Sequence, residues 1–102
     1  MNENENAVTG LFKLELDEPF EHDGKTYTEL NFDFGKLRTK DMLSVEREMQ
    51  SQGLYALSPK FSGDFLIRLA ARASAERVGQ GALSALPISA GSRLINYARN
   101  FL

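Results

Sequence analysis

The residue pattern of this chain changes period once, and that change limits what it can fold into. Up to Asp33 the apolar residues alternate with polar ones; beyond Gly35 they recur every three or four positions. Alternation puts successive side chains on opposite faces of a strand, whereas a three-to-four repeat lines one face of a helix. Phe12, Leu14 and Leu16 fall on one side of a first strand, with Lys13, Glu15 and Asp17 on the other. Pro19, which lacks the ladder donor, is expected to limit that strand. Asp23-Gly24 tolerates the positive φ of a tight hairpin turn. A second strand follows, with Thr26, Thr28, Leu30 and Phe32 pointing one way and Lys25, Tyr27, Glu29 and Asn31 the other. The spacing predicts a β-hairpin over residues 11–33.

Helical spacing takes over after Gly35. Thr39 is a candidate N-cap, and Asp41 stands in the first turn, where the helix dipole favours an anion. Met42, Val45 and Met49 share one face, flanked by Leu43 and Glu46, and Gly53 suits a C-terminal stop. Residues 54–61 contain Pro59 and read as a connection that buries Leu54, Leu57 and Phe61. A second helix, about 63–74, carries a core stripe of Phe65, Leu66, Leu69, Ala70 and Ala73, with Arg68 and Arg72 on the opposite face. Residues 76–86 read as a short helix. Ser89 is placed as the cap of a last helix over 90–101, with Leu94, Ile95, Ala98 and Phe101 or Leu102 turned inward.

The expected fold is therefore α+β, mainly α: an N-terminal β-hairpin followed by three to four short helices. Residues 1–8, rich in Asn and Glu, read as a flexible acidic tail. Residues 9–102 read as one domain, with a hairpin over 11–33 and a helical part over 39–102. A length of 102 residues suits one domain. A lone two-stranded hairpin is marginal in water, so its apolar face must lie on these helices or on another chain.

Composition removes several kinds of chemistry. There is no cysteine and a single histidine, His22. Thiolate metal sites, iron–sulfur clusters, thiol nucleophiles and multi-histidine centres are thereby excluded. Gly24-Lys25-Thr26 looks like the end of a phosphate-binding loop. Pro19 stands where that motif needs glycine, though, and a strand rather than a helix follows. Asp17, Glu18, Glu21 and Asp23 lack the ligand spacing of a calcium loop and read as a solvated acidic rim. No serine has the flanking glycines of a nucleophile elbow, and His22 reads as a solvated turn residue. An enzyme is not expected, nor any cofactor or metal.

No apolar run approaches membrane-spanning length, and the polar, acidic opening residues do not read as a secretory signal. A cytoplasmic location is expected.

Charge is unevenly placed. Residues 1–35 carry nine acids and two bases, and residues 36–102 carry ten bases and five acids. Either the acidic segment lies beside the basic helices of its own molecule, or copies associate head to tail, acidic end on basic part. Arg68, Arg72, Arg77, Arg93 and Arg99 lack interleaved aromatics and a recognition-helix motif. They suit solvated faces or an acidic protein partner better than nucleic acid.

The order of elements also carries a resemblance. Leu14-Glu15-Leu16-Asp17-Glu18-Pro19-Phe20, then Asp23-Gly24-Lys25-Thr26-Tyr27-Thr28-Glu29-Leu30, resembles the opening of the phage tail assembly chaperones. Lys36-Leu37-Arg38-Thr39-Lys40-Asp41-Met42-Leu43 looks like that family's first helix. Leu83-Ser84-Ala85-Leu86-Pro87-Ile88, leading to Asn96-Tyr97-Ala98-Arg99-Asn100-Phe101-Leu102, is similar to its closing helix. Phe32-Asp33-Phe34-Gly35 departs from the arginine and proline often found there. The resemblance implies a non-catalytic protein of the host cytoplasm, absent from the mature virion. Such a protein binds the tape-measure protein, helps recruit tail-tube protein and forms homo-oligomers; a longer frameshifted product is common in the family. For apolar contacts the candidates are Met42, Val45, Met49, Leu66 and Leu69, though ordinary core on an amphipathic helix is the favoured reading of the same stripes. For an acidic neighbour they are Arg68 and Arg72. The other reading is a small adaptor or regulatory domain binding a bacterial protein or nucleic acid.

Overall fold

The structure, a computed structural model, describes residues 9–102; the acidic tail proposed for residues 1–8 lies outside the described residues. Strand β1 (Leu11–His22) and strand β2 (Lys25–Asp33) form an antiparallel hairpin. Helices α1 (Thr39–Ser51), α2 (Gly63–Ala73), α3 (Gln80–Leu83) and α4 (Ile88–Phe101) follow, with 3-10 turns at Phe34–Lys36 and Pro59–Phe61. The fold is α+β and mainly α, as the change of period predicts.

The hairpin turn has its expected cause. Asp23 and Gly24 take φ of 52° and 77°, the paired positive values of a two-residue turn whose twist matches that of the strands. One expectation needs correcting: Pro19 does not end β1. Pairing runs from Leu11↔Asp33 to Glu15↔Glu29 and resumes at Phe20↔Tyr27, so residues 16–19 bulge out opposite Thr28 alone. The bulge absorbs the missing proline donor and lets the strand continue to His22.

The hairpin packs on its own helices. Leu14, Leu30 and Phe32 are buried in the common core with Phe65, Leu66, Leu69 and Leu94. Tyr97 of α4 pins the start of β1: its hydroxyl accepts from Gly10 N at 2.8 Å, and its ring stacks on Phe12 with centroids 4.5 Å apart. Gly10 lies against Gly35; a Cβ there would meet Gly35 N at 2.9 Å, and φ is 99°. Any side chain at position 10 would force the two segments apart. The outer edge of β2 is covered at Asn31, where Ala75 N donates to Asn31 O at 2.8 Å and Asn31 N donates to the Glu76 carboxylate at 2.9 Å. Covered edges do not recruit foreign strands.

The helix ends follow local chemistry. Arg38, not Thr39, is the N-cap of α1, and Asp41 reaches back to accept from Arg38 N at 2.7 Å. At the other end Gly53 (φ 77°) donates to Gln50 O and Leu54 N donates to Met49 O, the paired bonds of a glycine-stopped helix. The Ser62 hydroxyl caps α2 by accepting from Phe65 N at 3.2 Å. Helix α4 begins at Ile88 after Pro87, so Ser89 lies inside it instead of capping it. The segment 76–86 holds one four-residue helix.

Candidate functional site

The structure encloses most of the predicted contact residues within the chain itself. Val45, Met49, Leu66 and Leu69 lie in the core, and Met42 is half-buried against it. Core packing has taken up the apolar surface of Val45, Met49, Leu66 and Leu69, while Met42 keeps part of its surface in a small cleft beside Leu37, Leu69 and Phe101. Arg68 is corrected more sharply. It was expected on an exposed face, yet only 5% of it is exposed. Its Nε donates to Asp64 Oδ1 at 2.9 Å, Nη1 to Glu48 Oε2 at 2.7 Å and Nη2 to Gln52 Oε1 at 2.9 Å. A desolvated guanidinium needs such a shell, and here it ties α1 to α2. Arg72, partly exposed, is paired with Asp41 at 2.9 Å. His22 is mostly covered, lying beside the Phe20 ring and 3.6 Å from the Asp23 carboxylate.

Asp41 serves two helices at once. The Arg38 backbone N–H and then the Arg72 guanidinium hold its carboxyl below the ordinary value of 3.8. The unfolded chain therefore takes up this proton first on acidification. The stabilisation is present above the ordinary value and is lost as pH falls through the lower folded one. Asp41→Asn is expected to cost about 1 kcal/mol at neutral pH, as loss of a helix-capping carboxylate does. Urea melts at stepped pH check this: the gap between variant and wild type should close as the pH drops below 3.8.

The apolar surface left for a partner lies elsewhere. A groove of about 520 Å³ runs between α2, α3 and α4. Ile67, Leu83, Leu86, Ile88 and Ile95 give its apolar walls, with Gly63, Asp64, Ser84, Gly91 and Ser92 between them. None of the seven predicted contact residues lines it. Ile88 stands 89% exposed on its rim. Ile88, Ser92 and Ile95 recur at the spacing of one helix face, while Ala90, Leu94 and Ala98 form a second stripe that enters the core. That doubled stripe was the available signal. Ile95 is half-buried: it packs against the core, as its place on the inward stripe predicts, and also lines the groove.

Gly91 is the bare centre of the groove's α4 wall. A Cβ added there would meet nothing within 4 Å, so packing inside the molecule does not require glycine at this position. Gly91→Ala is expected to raise stability by about 0.5–1 kcal/mol, the usual gain for glycine to alanine in a helix; a thermal melt reads it directly.

The 54–61 connection forms a second exposed apolar surface. Leu54, Leu57 and Phe61 are exposed, contrary to the expected burial, with Leu57 wholly so. The glycine stop at Gly53 turns the chain outward, and the Pro59 turn keeps it at the surface. Among the described residues no ion pair joins the acidic hairpin to the basic helices; those that form stay within one part or the other. No helix of the described residues is long and apolar enough to cross a membrane. No family model, curated protein or solved structure matches the chain.

Proposed function

We propose that this chain is a phage or prophage tail assembly chaperone that holds helical segments of a tape-measure protein and makes or breaks no bond. The groove between α2, α3 and α4 carries the reading. Its Ile88 and Ile95 ridges flank a low floor at Gly91 and Ser92, a shape that receives a large apolar side chain from an amphipathic helix. The order of hairpin and helices, and the residue runs that resemble the family, support the same job. The chaperone works in the host cytoplasm, helps recruit tail-tube subunits and is left out of the mature virion. Copies associate head to tail, acidic hairpin on basic helices, since among the described residues no ion pair joins the two within one molecule. Several copies along one long client would bind with gain from multivalency.

The test is co-expression with a tape-measure protein, reading the soluble fraction of the client. The wild-type chain should keep the client soluble, and Ile88→Glu, which puts a charge on the groove rim, should not. A client equally insoluble with and without the wild-type chain ends the reading. Raised salt should weaken self-association, because exposed charges are screened.

A further inference from the structure

Resting on that functional reading, we infer that the groove selects an amphipathic helix carrying a carboxylate about seven residues from its central apolar side chain. The α4 wall does not stop at Ile95. Continuing the same stripe by one turn places Arg99 next, after Ile88, Gly91, Ser92 and Ile95. Arg99 is held in place there. Its Nε donates to Lys60 O at 3.0 Å, its Nη1 donates to Asn96 Oδ1 at 3.2 Å, and its guanidinium carbon sits 5.7 Å from the centre of the exposed Phe61 ring.

Arg99 thus gives the apolar groove a cationic end. Among the described residues Arg99 has no carboxylate within ion-pair distance. Asp64, the one carboxylate lining the groove, is engaged by the buried Arg68 at 2.9 Å and does not neutralise that end. Charge complementarity therefore calls for an anion on the occupant. A helix lying along α4 with a large apolar side chain over Gly91 would reach Arg99 after about 11–12 Å, or seven to eight residues at a rise of about 1.5 Å each. An acid at that spacing falls on the same face as the apolar anchor.

The probes are capped peptides of about 18 residues, long enough to hold a helix. They share one leucine-anchored apolar face and differ only in Glu, Gln or Lys placed seven residues from the central leucine. Affinities are read by fluorescence anisotropy. The Glu peptide should bind about threefold to fivefold tighter than the Gln peptide, the range of an exposed ion pair, and the Lys peptide more weakly still. Arg99→Gln, which keeps a polar side chain but removes the charge, should level the three. Gly91→Leu, which fills open space, should abolish binding of all three, with circular dichroism reporting an unchanged fold.

Equal affinities of the wild type for all three peptides, each lost in Gly91→Leu, would overturn the carboxylate rule while the groove reading stands. Binding indifferent to Gly91→Leu would overturn the groove reading itself. A wild-type dimer that Gly91→Leu converts to monomer would make a second copy the occupant and overturn the inference.

Discussion

Leu66→Ala is expected to destabilise the protein by about 3–4 kcal/mol, in the middle of the range for a leucine truncated inside a core. Leu66 is fully buried in α2, the helix that α1, α3 and α4 all contact and that β2 also touches. The cavity is therefore lined from several sides, and no single neighbour can collapse into it. For a chain whose total stability is on the order of 5–15 kcal/mol, that is a large fraction. The melting temperature should fall by more than about 10 °C. Leu43→Ala, at a half-exposed position on α1, should change stability by under about 1 kcal/mol. The pair separates two roles for Leu66. A contact residue would weaken client binding with little change in the melt, whereas a core residue shifts the melt first.

Arg68→Ala is expected to cost about 2–3 kcal/mol, through three lost charge-assisted hydrogen bonds and the lost packing of the aliphatic stem. The guanidinium sits between Asp64 of its own helix and Glu48 and Gln52 of α1. Glu48 and Asp64 are themselves partly exposed, so they rehydrate once the cation is gone. That limits the cost, which would be larger if an uncompensated charge were left buried. Arg68→Met, which refills the stem's volume, should therefore cost clearly less than Arg68→Ala. Denaturant unfolding of both variants checks the order. Equal stability of Arg68→Ala and wild type would mean that the α1–α2 junction does not depend on this shell.

Local chemistry explains which parts of the fold could be read from residues alone. The Asp23-Gly24 turn and the Gly53 stop are each decided within a few positions, and the observed dihedrals and bonds match. The α2 stripe was legible because Phe65, Leu66, Leu69, Ala70 and Ala73 sit on one helical face. What periodicity does not reveal is how many sides of a helix will be covered. Helix α2 is surrounded, so Ile67 and Arg68 are buried as well, and the arginine finds its partners twenty and sixteen residues away. The bulge at residues 16–19 was hidden for a related reason: a proline in a strand ends the pairing or distorts it, and only the partner strand decides which. The groove was missed because it depends on where α3 and α4 sit against α2. Ile88 and Ile95 are unremarkable until that arrangement leaves Gly91 bare between them.

The chain offers an unusually direct probe of this surface. Its isoleucines are Ile67, Ile88 and Ile95, and all three line the groove. The most direct measurement is a methyl spectrum of isoleucine-labelled protein titrated with a helical segment of a tape-measure protein. Saturable shifts at all three isoleucine methyls, absent in Gly91→Leu, are expected. Binding of the segment that leaves the three methyls unmoved would contradict the claim that this groove holds the client.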